Sequence, residues 1–458
     1  MEAVFMEQLF KIKERNSTVS REVVGGITTF LAMAYILIVN PNILSGVGLD
    51  LPAGTLPTWS GVFTATAISA AIGTLLMAFL ANLPVALAPG LGLNAFFTFT
   101  VVLGMGCTWQ LALTAVLCEG IIFILMSLFG IREAIINSIP EGLKKAVAVG
   151  IGLFITIIGL SSGGIISTDT GTLIGFVKFN GEHLNAIVAV IGLILTIVLY
   201  MLNVPGAILI GIIATTVIGI PFGVTKIPEN WSPVSLPGAP HFCAFDFKGA
   251  VLDGSGHFSG VVLGKFFVIL ITFLFTDLFD TIGTLLGVAE QGNLKDKDGN
   301  IQNAKGALLS DSIATVAGAM LGTSTVTSFV ESSSGVAAGG RTGLTSVVTA
   351  AFFLLSLFFS PLFFLVPAAA TAPALIFVGF LMLRTVTKID FSDPTEGIPA
   401  FITIAVMPFS YSIAKGIMWG IISYVISKCA GKKAKDIPVV TWVLAAIFLA
   451  DIIFESCK

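Results

Sequence analysis

The chain is short of charge. Lys, Arg, Asp and Glu make up 11% of its 458 residues, whereas a soluble globular domain carries roughly a quarter. With 55% apolar residues and a mean hydropathy of +1.00, that shortage excludes a water-soluble fold and indicates an integral membrane protein. Histidine is nearly absent. His183, His241 and His257 lie in connections or at a helix start and do not make a metal set. The five cysteines, Cys107, Cys118, Cys243, Cys429 and Cys457, show no CxxC pair and no ligand spacing. Only Cys243 falls in an outer connection, so no disulfide is expected. No Ser/His/Asp or metal constellation is present, so neither an enzyme nor a cofactor is expected. The net charge of −3 says little about partners, and nothing points to nucleic acid. Residues 1–21 are polar and basic, unlike a cleaved signal peptide.

What the chain has in abundance is long apolar runs. A spanning helix needs about 20 apolar residues. Such segments fall at 22–40, 61–82, 85–103, 109–130, 145–160, 184–202 and 204–220. A proline-containing connection, 221–259, separates them from 260–289, 306–322, 324–342, 343–365, 370–387, 397–409 and 411–429. The result is seven plus seven, with a further apolar segment at 438–454 in the tail, 430–458. The two sets echo each other. Ala67-Ile-Ser-Ala-Ala-Ile-Gly73 aligns with Ser312-Ile-Ala-Thr-Val-Ala-Gly318. In that register the run Pro84 to Asn94 falls opposite the stretch around Glu331. Seven spans per copy is odd, so the second copy, 260–429, must be inverted relative to the first, 22–220. The expected architecture is an all-α polytopic membrane protein of 14 segments.

Basic residues set the orientation. A cytoplasmic N-terminus puts Arg132, Lys144, Lys145, Lys295, Lys297, Lys305, Arg341, Arg384, Lys388, Lys428, Lys432, Lys433 and Lys435 inside. Only Lys178, Lys226, Lys248, Lys265 and Lys415 fall outside. That skew follows the positive-inside rule and leaves 221–259 outside.

Polar chemistry concentrates in three places. The stretch Thr327-Ser-Phe-Val-Glu331-Ser-Ser-Ser-Gly335, with Gly339, Gly340 and Gly343 beyond, lies between apolar segments. Ionisable groups at that depth persist where they line an enclosed cavity. Small-residue helix packing is the alternative, although packing needs no Glu331. Pro84, Pro89, Gly90 and Gly92 break segment 85–103, and Asn94 sits in that break with an amide that both donates and accepts. Interrupted helices at corresponding places in inverted repeats mark the site of a secondary transporter. The third cluster is Thr276-Asp277-Leu-Phe-Asp280-Thr281. Asp277 and Asp280 are three apart and share a helical face. Such a pair repels, and burial opposes its charge, which suits it to gaining and losing a proton. A cap at the membrane boundary is the plainer role for either. Glu119 reads as a carboxyl buried against a neighbour, Asp311 as a residue of a first helical turn, and Arg341 as an anchor at a segment end.

At these residues a family resemblance emerges. Gly26-Ile-Thr-Thr-Phe-Leu-Ala-Met-Ala-Tyr35-Ile-Leu-Ile-Val-Asn40-Pro41, Ala88-Pro-Gly-Leu-Gly-Leu-Asn94-Ala-Phe-Phe, Phe279-Asp-Thr-Ile-Gly-Thr and Val330-Glu-Ser-Ser-Ser-Gly-Val-Ala-Ala-Gly-Gly-Arg-Thr-Gly-Leu resemble the adenine/guanine/hypoxanthine permeases. These form the azaguanine-type branch of the nucleobase:cation symporter-2 family, and the resemblance runs from about Phe10 to Lys433. It implies a plasma-membrane, proton-coupled purine permease of alternating access, often dimeric. It also implies a core domain (about 22–130 plus 260–365), a gate domain (about 131–220 plus 366–429), and short strands in segments three and ten. The matching binding positions are Asn94, Asp277 and Glu331, with Asp280 close by. In the uracil and xanthine branch the segment-eight acid is a glutamate followed by a histidine. Here there are two aspartates and no membrane histidine, so the proton route does not carry over. Asp280, Asp277 and Glu331 are the coupling candidates.

The residue chemistry agrees. A purine is a flat heterocycle with N–H donors and ring-nitrogen acceptors. Glu331 and Asp277 can accept from it, Asn94 can complete the edge, and Phe96, Phe97, Phe279 or Phe329 can cover its faces. Three rivals fit less well. A channel favours rings of repeated polar groups. An inorganic-anion carrier needs a cationic site or helix N-termini. A uracil or xanthine transporter shares the fold but has the other segment-eight pattern.

Overall fold

The computed structural model describes residues 7, 9–129, 140–167, 174–204, 206–228, 232–252, 255–292, 294 and 301–456. Arg132, Lys295 and Lys297, used above for orientation, lie outside them, as do the side chains of Phe279 and Asp451.

The chain is mainly helical. With no water in a bilayer core, backbone groups must pair within the chain, and helices do this segment by segment. The first apolar run is two helices, α1 (Val19–Met33) and α2 (Ile36–Ser45), interrupted at Ala34 and Tyr35. Thr18 caps α1 by accepting from Arg21 N. Next come α3 (Trp59–Leu76), which runs on into a π-wound turn over Met77–Ala81, and the strand β1 (Leu87–Pro89). A half-helix, α4 (Leu91–Ala95), continues as a π-wound segment over Phe96–Gly104. After α5 (Trp109–Leu128) and α6 (Glu141–Ser162) a small ribbon pairs β2 (Ile166–Ser167) with β3 (Gly175–Phe176). The first half ends with α7 (Leu184–Met201) and α8 (Ala207–Gly219).

The second half opens on the long α9 (Gly260–Gly292), then α10 (Ala304–Leu321), the strand β4 (Val326–Ser328) and a second half-helix, α11 (Ser332–Ala337). It continues through α12 (Gly343–Ser356), α13 (Ser360–Phe364), α14 (Ala368–Leu383), α15 (Pro394–Phe409) and α16 (Ile413–Ala430). The apolar tail segment is α17 (Val439–Ser456). Among the described residues, eight helices are long and apolar enough to cross a membrane by length and composition.

The helices pack in two sets. In one, α10 lies against α5 and α3, and α12 against α1 and α3. In the other, α6 holds α14 and α15, α15 lies against α16, and α7 and α8 pack on each other and on α14. Helix α9 touches both sets through α5, α6 and α16. Small residues set these approaches, as expected where lipid provides no hydrophobic drive between helices.

At the centre β1 pairs antiparallel with β4, in the register Leu87↔Ser328, Ala88↔Thr327 and Pro89↔Val326. Two further bonds lengthen the ladder, Phe329 N to Ala86 O at 3.0 Å and Gly90 N to Thr325 O at 3.0 Å. The half-helices therefore start at opposite ends of the ladder. Each strand's other edge is met by a threonine of the helix before it. Thr74 of α3 accepts from Leu87 N at 2.9 Å, and Thr315 of α10 donates to Val326 O at 2.9 Å. The aligned glycines Gly73 and Gly318 have the same role in both halves. A Cβ on Gly73 would stand 3.2 Å from Leu87 Cβ, and one on Gly318 would stand 2.7 Å from Val326 Cγ2. Each glycine lets its helix pass close over its strand.

Candidate functional site

Both breaks follow from local chemistry. Proline cannot donate to a helix and disfavours helix in the residue before it, so Val85–Pro89 is extended. The run Thr323-Ser-Thr-Val-Thr-Ser328 favours strand through its β-branched residues, and the hydroxyls of Thr323, Ser324, Thr325 and Thr327 find partners in neighbouring elements. The strands bring the polar residues of distant segments together between the half-helices and α9.

Glu331 occupies the N-cap position of α11 without a side-chain capping bond, and is half-buried. Its Oε1 accepts a 2.5 Å hydrogen bond from the Tyr35 hydroxyl. Asp280 of α9 is also half-buried. Its Oδ2 lies beside Gly90, 3.6 Å from where a Cβ would stand, and it is within electrostatic range of Glu331 and Asp311. Asp277 is fully buried, and its Oδ1 accepts from Thr281 Oγ1 at 3.2 Å. Thr281 Oγ1 is also 2.8 Å from Asp311 Oδ1 and 2.7 Å from Thr327 Oγ1. A hydroxyl has a single proton to donate, so Thr281 is the junction of a network joining α9, α10 and β4.

Asn94 is fully buried. Its Oδ1 accepts from Ser324 Oγ, and its Nδ2 donates to Pro89 O at 3.4 Å. The amide thus ties the first half-helix to the approach of β4. Phe96 packs edge-on against Phe273 of α9, with centroids 4.8 Å apart. Phe97, in the π-wound segment, and Phe329, just after β4, are also buried. Glu119 lies against a neighbour, as its sequence context suggested, with Oε2 accepting from Thr325 Oγ1 at 2.7 Å. Arg341 closes the end of α11 by donating from Nη1 to Val336 O at 2.5 Å and Gly340 O at 2.7 Å.

One expectation needs correction. Asp311 is not in a first helical turn. It lies in the middle of α10, which begins at Ala304, and is fully buried. A helix beginning at 306 would put Asp311 near its first turn, but the helix begins earlier and the side chain faces Thr281. Sequence reasoning also passed over Tyr35, Thr281 and Thr327 as site residues. Thr281 was detectable, since it lies one turn beyond Asp277. Tyr35 gave one weak signal, a hydroxyl in the middle of an apolar run.

Such an arrangement can accept several hydrogen bonds from a neutral polar ligand. Two acidic side chains at its surface disfavour an anion. Residues 20–419 match the model of the Permease family. The chain belongs to that family, the nucleobase:cation symporter-2 transporters. This permease is 45% identical to a putative permease of Methanocaldococcus jannaschii over 452 residues, 99% of both chains. It is 43% identical to the guanine/hypoxanthine permease PbuG of Bacillus subtilis, over 98% of this chain and all of that one. It is 40% identical to the adenine permease AdeP of Escherichia coli, over 98% of this chain and 96% of that one. Among solved structures, the permease superposes on the transmembrane domain of the cyanobacterial bicarbonate transporter BicA. The TM-score is 0.62 with 16% identity, covering 89% and 97% of the two chains. SLC26A9 gives 0.58 with 12% identity, covering 90% and 66%. At those identities the likeness is one of fold. The permease is a multi-pass membrane transporter rather than an enzyme.

Proposed function

We propose that this permease takes up purine nucleobases, namely adenine, guanine or hypoxanthine, across the cell membrane by proton symport with alternating access. The observation that carries the reading is the placement of Glu331 and Asp280. Both are half-buried, and each stands beside one of the two broken segments that the β1–β4 ladder joins. The names of the full-length relatives point the same way, since they are guanine/hypoxanthine and adenine permeases. Glu331 accepts from purine N–H groups, and Asp277 and Asn94 complete the polar wall. Phe96 or Phe329 covers a ring face. Asp280 carries the coupled proton, with Asp277 and Glu331 as the other members of the acidic group. Protonation neutralises the site and lets the loaded unit move, while an empty charged site resists moving.

The wider architecture belongs to the same reading. Fourteen segments form two inverted repeats, with the N-terminus cytoplasmic and the 221–259 connection outside. The set containing α3, α5, α10 and α12 is the moving core, and the set around α6, α14, α15 and α16 is the gate, in a chain able to dimerise. The likeness to a bicarbonate transporter does not extend to substrate, because two acidic groups at the site repel an anion. Uptake of labelled adenine, guanine and hypoxanthine into proteoliposomes, with and without an inward proton gradient, tests the proposal. Uracil, xanthine and bicarbonate serve as controls. Glu331→Gln keeps size but removes charge. It should lose roughly 1.5–3 kcal/mol of purine binding, about ten- to a hundredfold in affinity. Gradient-independent uptake would remove the proton, and preferred uptake of a control would remove the purine.

A further inference from the structure

The Glu331 carboxylate does not stand alone in the site. Tyr35 is 1% exposed, and a buried phenol needs a hydrogen-bond partner. It finds one by donating its single proton to Glu331 Oε1 at 2.5 Å. The contact depends on the interruption of the first span. Ala34 and Tyr35 form a turn between α1 and α2, and α2 restarts on bonds from Ile38 N and Val39 N to Tyr35 O at 3.0 and 2.9 Å.

The geometry is fixed by α1, the helix that precedes this turn. A Cβ on Gly335 would lie 2.0 Å from Thr29 Oγ1 and 2.5 Å from Gly25 O, so α1 and α11 touch backbone to backbone. Beyond that contact the fully buried Glu22 carboxylate accepts from Arg341 N at 3.1 Å, Thr342 N at 3.1 Å and Thr345 Oγ1 at 2.6 Å. The first span thus grips the segment 331–345 at three heights, from α1 by Glu22 and by Gly25 and Thr29, and from the turn after it by Tyr35. Neither partner of the Tyr35–Glu331 bond can drift without breaking that packing.

We infer that Tyr35 is a positioning residue for purine recognition: it holds Glu331 through Oε1 and turns Oε2 toward the substrate as the acceptor for a purine N–H. This rests on the purine reading of the site and adds a residue to it. A carboxylate held in one rotamer avoids the ordering cost that a free side chain meets on binding. Its occupied oxygen also keeps a neighbouring group from rotating it away. Tyr35 acts through Glu331 and need not touch the ligand.

The test is equilibrium binding and proteoliposome uptake of labelled purine by the full-length chain. Tyr35→Phe removes the hydroxyl and keeps the ring. Affinity should fall about tenfold, the worth of one charge-assisted hydrogen bond together with lost preorganisation. KM should rise in step while Vmax and Tm stay near wild type. In a Glu331→Gln background the same change should cost less than about twofold, because the carboxylate it acts through is gone. Should Tyr35→Phe not accumulate, Glu331→Asp is read instead. It retracts the carboxylate from the hydroxyl while keeping its charge, and should show the same rise in KM. Wild-type affinity in either variant overturns the inference. So does a full multiplication of the Tyr35→Phe and Glu331→Gln effects, or a Tyr35→Phe variant that loses Tm but not affinity. If the wild-type protein shows no saturable purine binding, the purine reading itself fails and the inference with it.

Discussion

Gly90 lies at the end of β1, where the first half-helix begins and the chain passes closest to β4. A Cβ placed there would stand 2.6 Å from Thr327 Cγ2, 3.2 Å from Leu93 Cδ1 and 3.6 Å from Asp280 Oδ2. Carbon atoms rest about 3.5–4.0 Å apart, so Gly90→Ala requires the first of these contacts to open by roughly 1 Å. Leu93 can yield by rotating. Thr327 cannot yield easily, because its Oγ1 is held 2.7 Å from Thr281 and its strand is locked in register with Ala88. Overpacking of this kind costs about 1–3 kcal/mol. The strain falls on the ladder that sets the distance between the half-helices, so it should appear in ligand affinity. At 1.4 kcal/mol per tenfold, the Kd for purine should rise roughly five- to a hundredfold. Thr327→Ser removes the offending methyl and keeps the hydroxyl that binds Thr281. The double variant Gly90→Ala/Thr327→Ser should therefore bind better than Gly90→Ala alone. Isothermal titration and Tm measurements in detergent read both quantities. A Gly90→Ala variant with unchanged Kd and Tm would refute the strand contact. A double variant no better than the single one would show that the methyl clash is not the source of the loss.

The remaining expectations concern coupling, pH and topology. Asp280→Asn, permanently neutral, should bind and exchange purine across a membrane but not concentrate it on a proton gradient, whereas Asp277→Asn should lose binding. Gradient-driven accumulation by Asp280→Asn, with the wild-type pH dependence, would move the proton to Glu331. His241 accepts from Thr58 N at 3.0 Å through Nε2, at the N-terminus of α3, and only a neutral ring nitrogen can do so. Burial holds its pKa below the usual histidine value. The stability it contributes is therefore full above about pH 6.5 and is lost as pH falls through the lowered folded-state value. Tm should fall on acidification and His241→Gln should flatten that fall; identical curves would refute the assignment. Leu236 is 85% exposed in the 221–259 connection, so Leu236→Cys should react with an impermeant thiol reagent added outside intact cells. Protection there, with labelling only after permeabilisation, would reverse the proposed orientation.

Membrane class, the two broken segments and the acidic residues of the candidate site were legible in the amino-acid sequence by itself. These are matters of composition and of local chain chemistry. Charge is scarce throughout, Pro89 cannot donate to a helix, and Gly90 leaves room for a close approach. Asp277 and Asp280 share a face whatever surrounds them. The alignment of Gly73 with Gly318 was also visible, but its reason, the passage of each helix over a strand, was not. Other features were decided only by tertiary structure. Tyr35 and Glu331 are 296 residues apart, and their bond exists because Gly25 and Gly335 let two helices touch. Asp311 reads from sequence as a residue of a first helical turn, yet it partners Thr281, because α10 turns that face toward α9 and β4. Asn94 brings to the break an amide that both donates and accepts, and its carbonyl is taken by Ser324. In each case the side chain's role depends on what a distant segment places opposite it, and a polar group buried at membrane depth must take the partner that packing brings.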